Sequence, residues 1–229
     1  MNPRALVAEF VGSLILAATV IGSGIAAQNL SGGNVAIALL ANAIATGCIL
    51  FVLISIFAPA SGAHFNPAVS IAFALRREIS WFDCGVFVVA QIAGMIVGAW
   101  LAHAMFDLPL IQVSTTGRTS LGMAIGEVVA TFGLVLTILM LKKTDASRIP
   151  LAVALYITSA YWFTSSTSFA NPAITIARSL SDTFAGISPA SVPIFIACQI
   201  AGMFLAFALG TWMAGSPPAM TKKRVRRPS

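Results

Sequence analysis

The sequence predicts an all-α membrane protein with six transmembrane helices and two re-entrant half-helices, arranged as an inverted 3+3 repeat. Three observations lead to this fold class: an apolar composition, two short apolar stretches that begin with Asn-Pro-Ala, and three segments that recur in both halves. Of the 229 residues, 58% are hydrophobic and only 9% are charged, whereas a typical soluble domain has about 25% charged residues. Such a composition cannot cover a soluble globule with polar surface, which argues against a soluble enzyme.

Six apolar stretches are long enough to cross a bilayer, since a transmembrane helix needs about 20 residues. They are residues 5–27, 34–58, 83–105, 119–141, 149–165 and 190–214. Arg4 precedes the first stretch and Glu9 lies inside it. This pattern favours a first span over a cleaved signal peptide.

Two further apolar stretches, 66–76 and 171–181, are too short to cross a bilayer alone. Each begins with Asn-Pro, and Asn is a good helix cap while Pro suits the first helical turn. A segment of small residues precedes each stretch, so each is expected to be a short helix entered from an irregular loop. Irregular backbone at membrane depth is tolerated only where it is buried in protein or lines a watery cavity. The two stretches therefore predict a pore.

Three segments recur in the same order in both halves of the chain. The pairs are 8–18 with 126–136, 65–75 with 170–180, and 91–101 with 199–209. Each half holds three spans, an odd number, so the halves must be inverted across the membrane, an arrangement that places a functional site near the bilayer midplane. We expect a first repeat at 1–114, a second repeat at 115–215 and a basic cytoplasmic tail at 216–229.

The basic residues predict the orientation of the chain. With the N-terminus in the cytoplasm, only Arg118 and Arg178 fall on the opposite side, and eleven basic residues fall inside. The eleven are Arg4, Arg76, Arg77, Lys142, Lys143, Arg148, Lys222, Lys223, Arg224, Arg226 and Arg227. This asymmetry follows the positive-inside rule. The tail is interpreted as a topology anchor rather than as a site for nucleic acid or anionic lipid.

With its two Asn-Pro-Ala motifs (Asn66, Pro67, Ala68 and Asn171, Pro172, Ala173), the sequence resembles the aquaporin, or major intrinsic protein, family over nearly its whole length. The resemblance implies a right-handed bundle in the cell inner (plasma) membrane, with both termini cytoplasmic. It also implies a homotetramer with one pore per subunit, whose partners are membrane lipid, water and small neutral solutes.

Each motif would bring a helix N-terminus, carrying about half a positive charge, to the bilayer centre. A cation there loses hydration, which costs several kcal/mol, whereas an uncharged solute can accept hydrogen bonds from Asn66 and Asn171. By resemblance, Glu9 and Glu127 brace the re-entrant loops, with a proton relay as the alternative. His64 either braces the first loop or lines and gates the pore.

The sequence departs from the family at the selectivity filter. Most water-selective relatives place an Arg directly after the second motif, where this chain has Ile174. Family spacing puts the remaining filter positions at Thr46, Ser159 and Ser168, which implies a wide, uncharged constriction. Arg178 lies one helical turn beyond Ile174, where it either forms a displaced constriction, or snorkels to the interface, or pairs with Asp182.

These features predict a passive channel for small uncharged solutes: polyols, urea, neutral metalloid acids such as arsenite or methylated arsenicals, and water. The stretch 171–187 resembles a bacterial subgroup often associated with arsenic resistance, which implies the arsenical substrates. A water-selective channel and a proton- or sodium-coupled transporter remain alternatives. No nucleophile–base pair or metal-ligand cluster is visible among two His and seven acidic residues, so we expect no enzyme activity, no cofactor and no metal.

Overall fold

The computed structural model describes residues 2–214, and these residues contain eight α-helices, two short 3₁₀ turns and no β-strand. The helices are α1 (Pro3–Leu30), α2 (Val35–Ser61), α3 (Pro67–Leu75), α4 (Trp81–Met105), α5 (Leu121–Thr144), α6 (Ile149–Phe163), α7 (Pro172–Arg178) and α8 (Val192–Ala214). The all-helical fold class is confirmed. The predicted basic tail at 216–229 lies outside the described residues.

Five of these helices are long and apolar enough to cross a membrane: α1, α2, α4, α5, and α8 together with the 3₁₀ turn before it. The remaining long helix, α6, has 15 residues, which corresponds to about 22 Å. It is shorter than the roughly 30 Å hydrocarbon core of a bilayer, and it occupies the predicted span at 149–165.

The two half-helices are shorter than the sequence predicts, with nine residues in α3 and seven in α7. Asn66 and Asn171 cap them, because each side-chain oxygen accepts the N–H of the residue two positions on, at 2.9 Å. The helix α7 ends at Arg178, whose carbonyl accepts the N–H groups of Ser181 and Ile187 at 3.3 Å. The chain therefore turns away three residues before the predicted end.

Close packing of α4 on α1 and of α8 on α5 depends on glycines at matched positions. A Cβ at Gly94 of α4 would overlap the carbonyl oxygen of Phe10, and one at Gly202 of α8 would overlap that of Val128. Small residues permit such backbone approach in membrane bundles. Gly94 and Gly202 hold the same place in the repeated Gln-Ile-Ala-Gly-Met segment, so the sequence repeat corresponds to a repeated helix pair.

Candidate functional site

The two Asn-Pro-Ala motifs meet, and each holds the loop of the other half. The Asn66 amide nitrogen donates to the Ala170 carbonyl at 2.8 Å, and the Asn171 amide nitrogen donates to the Phe65 carbonyl at 2.8 Å. An amide group carries two hydrogens, and within residues 2–214 neither group has a second acceptor. One hydrogen on each Asn thus has no acceptor in this part of the chain.

Glu9 braces the first re-entrant loop from inside α1. Its carboxylate accepts the N–H of His64 at 2.9 Å and that of Phe65 at 2.7 Å. The Ser61 hydroxyl and the Gln91 amide also donate to it, at 2.6 and 2.8 Å. With four donors on two oxygens, this buried carboxylate is fully engaged in holding the loop.

Glu127 braces the second loop in the same way from α5. It accepts the N–H of Phe169 at 2.9 Å and that of Ala170 at 3.0 Å. The Gln199 amide donates to Glu127 at 2.5 Å and to Thr175 at 2.8 Å. The two networks occupy equivalent places in the two halves, as the repeat predicts.

Both loops carry non-glycine residues with left-handed backbone at matched positions. The φ angles are 52° at Ala63 and 49° at Phe65 in the first loop, and 51° at Ser168 and 49° at Ala170 in the second. Such backbone costs on the order of 1–3 kcal/mol per residue and persists only where its surroundings hold it. The hydrogen bonds to Glu9 and Glu127 provide that constraint.

A cavity of about 320 Å³ runs past both motifs. Lys142 lies in the wall at one end and Arg178 at the other, and we call these the Lys142 end and the Arg178 end. Arg118 and Arg178 both lie over the Phe169 ring, and Arg118 shortly precedes α5. Lys142 lies in the last turn of α5, so the two ends are separated by about the length of that helix. Apolar side chains form most of the wall, among them Leu16, Val20, Leu50, Ile54, Leu134, Ile138, Val153 and Ile157.

Four of the five predicted filter residues lie in the cavity wall: Thr46, Ser168, Ile174 and Arg178. The fifth assignment, Ser159, is corrected by the structure. Ser159 lies on the exposed face of α6, and its hydroxyl donates to the Tyr156 carbonyl at 2.8 Å. Counting back from the second motif misses the phase of α6, because side chains two positions apart point to different sides of a helix.

Tyr161 is the α6 residue that sequence reasoning missed. It is 3% exposed and lies in the cavity wall, and its hydroxyl is within hydrogen-bond distance of the Thr46 hydroxyl, at 3.2 Å. It follows Val153 and Ile157 at four-residue intervals along the lining face of α6. That helical spacing was the available signal.

Arg178 is 3% exposed and faces the cavity. Its guanidinium carbon lies 3.3 Å from the centroid of the Phe169 ring, and its Nε donates to the Ala185 carbonyl. It does not pair with Asp182, whose carboxylate instead accepts the N–H and hydroxyl of Thr115 at 2.8 and 3.0 Å. Neither the snorkelling nor the Asp182 alternative describes this side chain.

Arg118 lies beside Arg178, although the sequence singled it out only as a charge. Its Nε donates to the Gly186 carbonyl at 2.9 Å and its Nη1 to the Ser166 carbonyl at 3.4 Å. Its guanidinium carbon is 5.0 Å from the same Phe169 ring centroid. Two cations, one from the end of α7 and one from the connection before α5, therefore share one aromatic ring at the Arg178 end.

The Lys142 end carries an ion-pair cluster. The Lys142 ammonium lies 4.1 Å from the Phe73 ring centroid and pairs with Glu78, which also binds Arg76 at 2.5 Å. Burial alone would raise the pKa of Glu78, but hydrogen bonds from Lys142 and Arg76 lower that pKa below its ordinary value.

His64 both braces the first loop and lines the cavity. Its backbone N–H is held by Glu9, while its ring nitrogen Nδ1 lies 3.1 Å from the Ser70 hydroxyl. The ring packs against Phe73 with centroids 4.4 Å apart and forms part of the wall. His64 thus combines a backbone contact that holds the loop with a ring that lines the wall, and its gating role stays a prediction.

A helical bundle in which two Asn-capped half-helices meet beside a cavity defines a membrane channel. The family model described as "Major intrinsic protein" matches residues 1–159 of this chain. The chain belongs to the major intrinsic protein family, whose members are channels for water or small solutes. The matched range includes the first motif, and the second motif lies beyond it.

Individual relatives agree with this assignment. The chain is 50% identical to aquaglyceroporin AqpS of Rhizobium meliloti (strain 1021) over 210 residues, covering 92% of this chain and 90% of that one. It is 34% identical to the probable aquaporin PIP2-8 of Arabidopsis thaliana, covering 63% of this chain and 54% of that one. The crystal structure of the Plasmodium falciparum aquaglyceroporin shares the fold, with a TM-score of 0.71, 21% identity, and coverage of 94% and 96%.

Proposed function

We propose that this protein is a passive channel for small uncharged solutes. The solutes are polyols, urea, neutral metalloid acids such as arsenite or methylated arsenicals, and water. The observation that carries the proposal is the cavity past both motifs, where Asn66 and Asn171 each keep one amide hydrogen beside a helix N-terminus. The identity of 50% with a protein named an aquaglyceroporin supports the polyol class.

The electrostatics of the junction favour uncharged solutes. Two helix N-termini place partial positive charge at the meeting point, and the wall on either side is mainly apolar. Glu9 and Glu127 are occupied by four and three hydrogen bonds respectively. No carboxylate among the described residues is thereby left at the junction to couple transport to protons or sodium, which argues against a secondary transporter.

We place the selectivity filter at the Arg178 end. Its members are Thr46, Tyr161, Ser168, Ile174 and Arg178. Arg178 is four residues beyond Ile174, about 6 Å along the helix, so it bounds the passage one turn beyond position 174. Tyr161 adds an aromatic side chain beside Thr46. The filter is then narrower than a Thr, two Ser and an Ile would make it.

Arg178→Ala tests the filter assignment. Removal of the Arg178 guanidinium is expected to change the ratio of glycerol to water permeability, because this group narrows the passage. An unchanged ratio would leave Arg178 with only the structural contacts to Ala185 and Phe169.

The orientation, assembly and subdivision of the chain follow the sequence predictions. We propose that the protein lies in the inner (plasma) membrane as a homotetramer with both termini in the cytoplasm, and that its repeats are 1–114 and 115–215. The Lys142 end is then the cytoplasmic end. The asymmetry of basic residues supports this orientation.

A stopped-flow comparison of water, glycerol and arsenite permeability in the same proteoliposomes tests the function. We expect all three permeabilities to exceed those of protein-free vesicles. Water flux without solute flux would establish the second candidate, a water-selective channel, which Tyr161 and Arg178 favour by narrowing the passage. Uptake that depends on an imposed proton or sodium gradient would contradict both.

A further inference from the structure

The Arg178 end of the cavity holds more positive charge than its neighbours neutralise. Arg178 and Arg118 lie over the same Phe169 ring, and within residues 2–214 neither forms an ion pair. Glu127 is a carboxylate near both arginines, and it already accepts hydrogen bonds from two backbone N–H groups and Gln199. Two cations and one carboxylate leave a single net positive charge.

Two polar groups at this end have unused hydrogen-bonding capacity. Arg178 uses only its Nε, so its two terminal nitrogens have no acceptor among the described residues. The hydroxyl of Ser168, a residue 3% exposed and also in the cavity wall, has no partner in the same part of the chain. The Ser168 hydroxyl is buried as well as unpartnered, and buried polar groups are almost always satisfied. This hydroxyl, in the same wall as the Arg178 guanidinium, points to a ligand.

The chemistry of these groups specifies the ligand. The two terminal nitrogens of a guanidinium match the two oxygens of a carboxylate in a bidentate, charge-assisted pair. Phe169 and Ile174 close this part of the wall with apolar surface, which restricts the ligand to a small one. A ligand with one negative charge balances the single net positive charge of Arg178, Arg118 and Glu127.

We propose that the Arg178 end is a binding site for a small monovalent carboxylate or a similarly planar oxyanion. The terminal nitrogens of Arg178 and the Ser168 hydroxyl hold the anion, and Arg118, which lies over the same Phe169 ring, adds its charge. The site goes beyond the proposed function, because the transported solutes are uncharged. The anion can bind at the Arg178 end without passing through the channel.

Formate is a suitable probe, and formamide is its uncharged counterpart of the same size. The full chain, purified in detergent micelles, is examined by saturation-transfer difference NMR of the formate proton at neutral pH. The formate signal is expected to rise to a plateau with concentration and to withstand excess formamide. Absence of a saturable signal, or equal competition by formamide, would overturn the proposal.

Arg178→Met removes the guanidinium while keeping an unbranched side chain. It is expected to weaken formate binding by about tenfold or more, the scale of a lost hydrogen bond to a charged group. Arg148→Met is the matched control, because Arg148 is 75% exposed in its side chain and pairs with Asp145 at the other end of the molecule. Formate binding that is equal in wild type and Arg178→Met would rule out the site.

Ser168→Ala keeps the test decisive if Arg178→Met fails to fold. It removes only the unpartnered hydroxyl, and severalfold weaker formate binding is expected. Unchanged binding in this variant would overturn the assigned geometry. Because the NMR measurement needs no vesicles and no flux, a channel that fails the glycerol assay can still bind formate, and the two proposals succeed or fail separately.

Discussion

At the scale of single residues, the position after the second motif decides how wide the passage is. Ile174 is 4% exposed and lies in the cavity wall, so a longer, charged side chain there would enter the passage. Ile174→Arg is expected to lower glycerol permeability about tenfold, equivalent to about 1.4 kcal/mol, and to lower water permeability less. Stopped-flow measurements on the variant check this, with Ser159→Ala on the exposed face as the control that leaves both unchanged. Equal loss of both permeabilities would show that position 174 does not select by size.

Tyr161 of α6, another lining residue, provides a complementary test. Tyr161→Ala removes an aromatic ring that faces Thr46, so glycerol permeability is expected to rise relative to water permeability. Tyr156→Ala is a control on the same helix, since the Tyr156 hydroxyl instead bonds to the Val129 carbonyl. A rise in both variants would mean that loosened packing of α6, rather than the filter, sets the ratio.

The extent to which the sequence predicts the site differs from residue to residue. The motifs at 66–68 and 171–173 were predictable, because their paired occurrence and Asn-Pro caps need only local sequence. The bond from Asn66 to Ala170 joins residues 104 positions apart, and no local pattern specifies it. Tyr161 was missed because counting along the chain ignores helix phase, and Arg118 was missed because its role depends on loops that meet only after folding.

At the scale of elements, the approach of α4 to α1 depends on the missing side chain of Gly94. Gly94→Ala is expected to destabilise the protein by about 1–3 kcal/mol, the usual cost of overpacking, because its Cβ would overlap the Phe10 carbonyl. Gly85→Ala on the same helix is the matched control, since nothing lies within 4 Å of its added Cβ. Thermal unfolding in detergent compares the two, and equal melting temperatures would contradict the close contact.

The turn after α3 gives a pH-dependent contribution to stability. Because the pKa of Glu78 is lowered in the folded protein, its stabilising effect is present above the ordinary glutamate pKa and is lost as pH falls through the lowered value. We expect a loss of at most about 1 kcal/mol, since the pair is partly exposed and screened. Melting temperatures of wild type and Glu78→Gln should differ at neutral pH and converge in acid. A difference that persists in acid would exclude the ion pair as its source.

At the scale of the whole molecule, the inverted repeat requires both termini to lie on one side of the membrane. A reporter that is active only in the cytoplasm, fused before residue 1 or after residue 229, is expected to be active at both places. A fusion in the connection between α4 and α5, at 106–120, is expected to be inactive. Activity of the third fusion would reverse the orientation, and activity of only one terminal fusion would contradict six crossings.

The exchange of hydrogen bonds between Asn66 and Ala170 and between Asn171 and Phe65 has a consequence for any attempt to divide the protein. Neither half can complete its own lining, since one of the groups that hold each re-entrant loop, the Asn side chain, is contributed by the opposite half. A gene fragment encoding only one half would therefore give a product whose re-entrant loop is less firmly held. Co-expression of the other half would be needed to restore a functional channel.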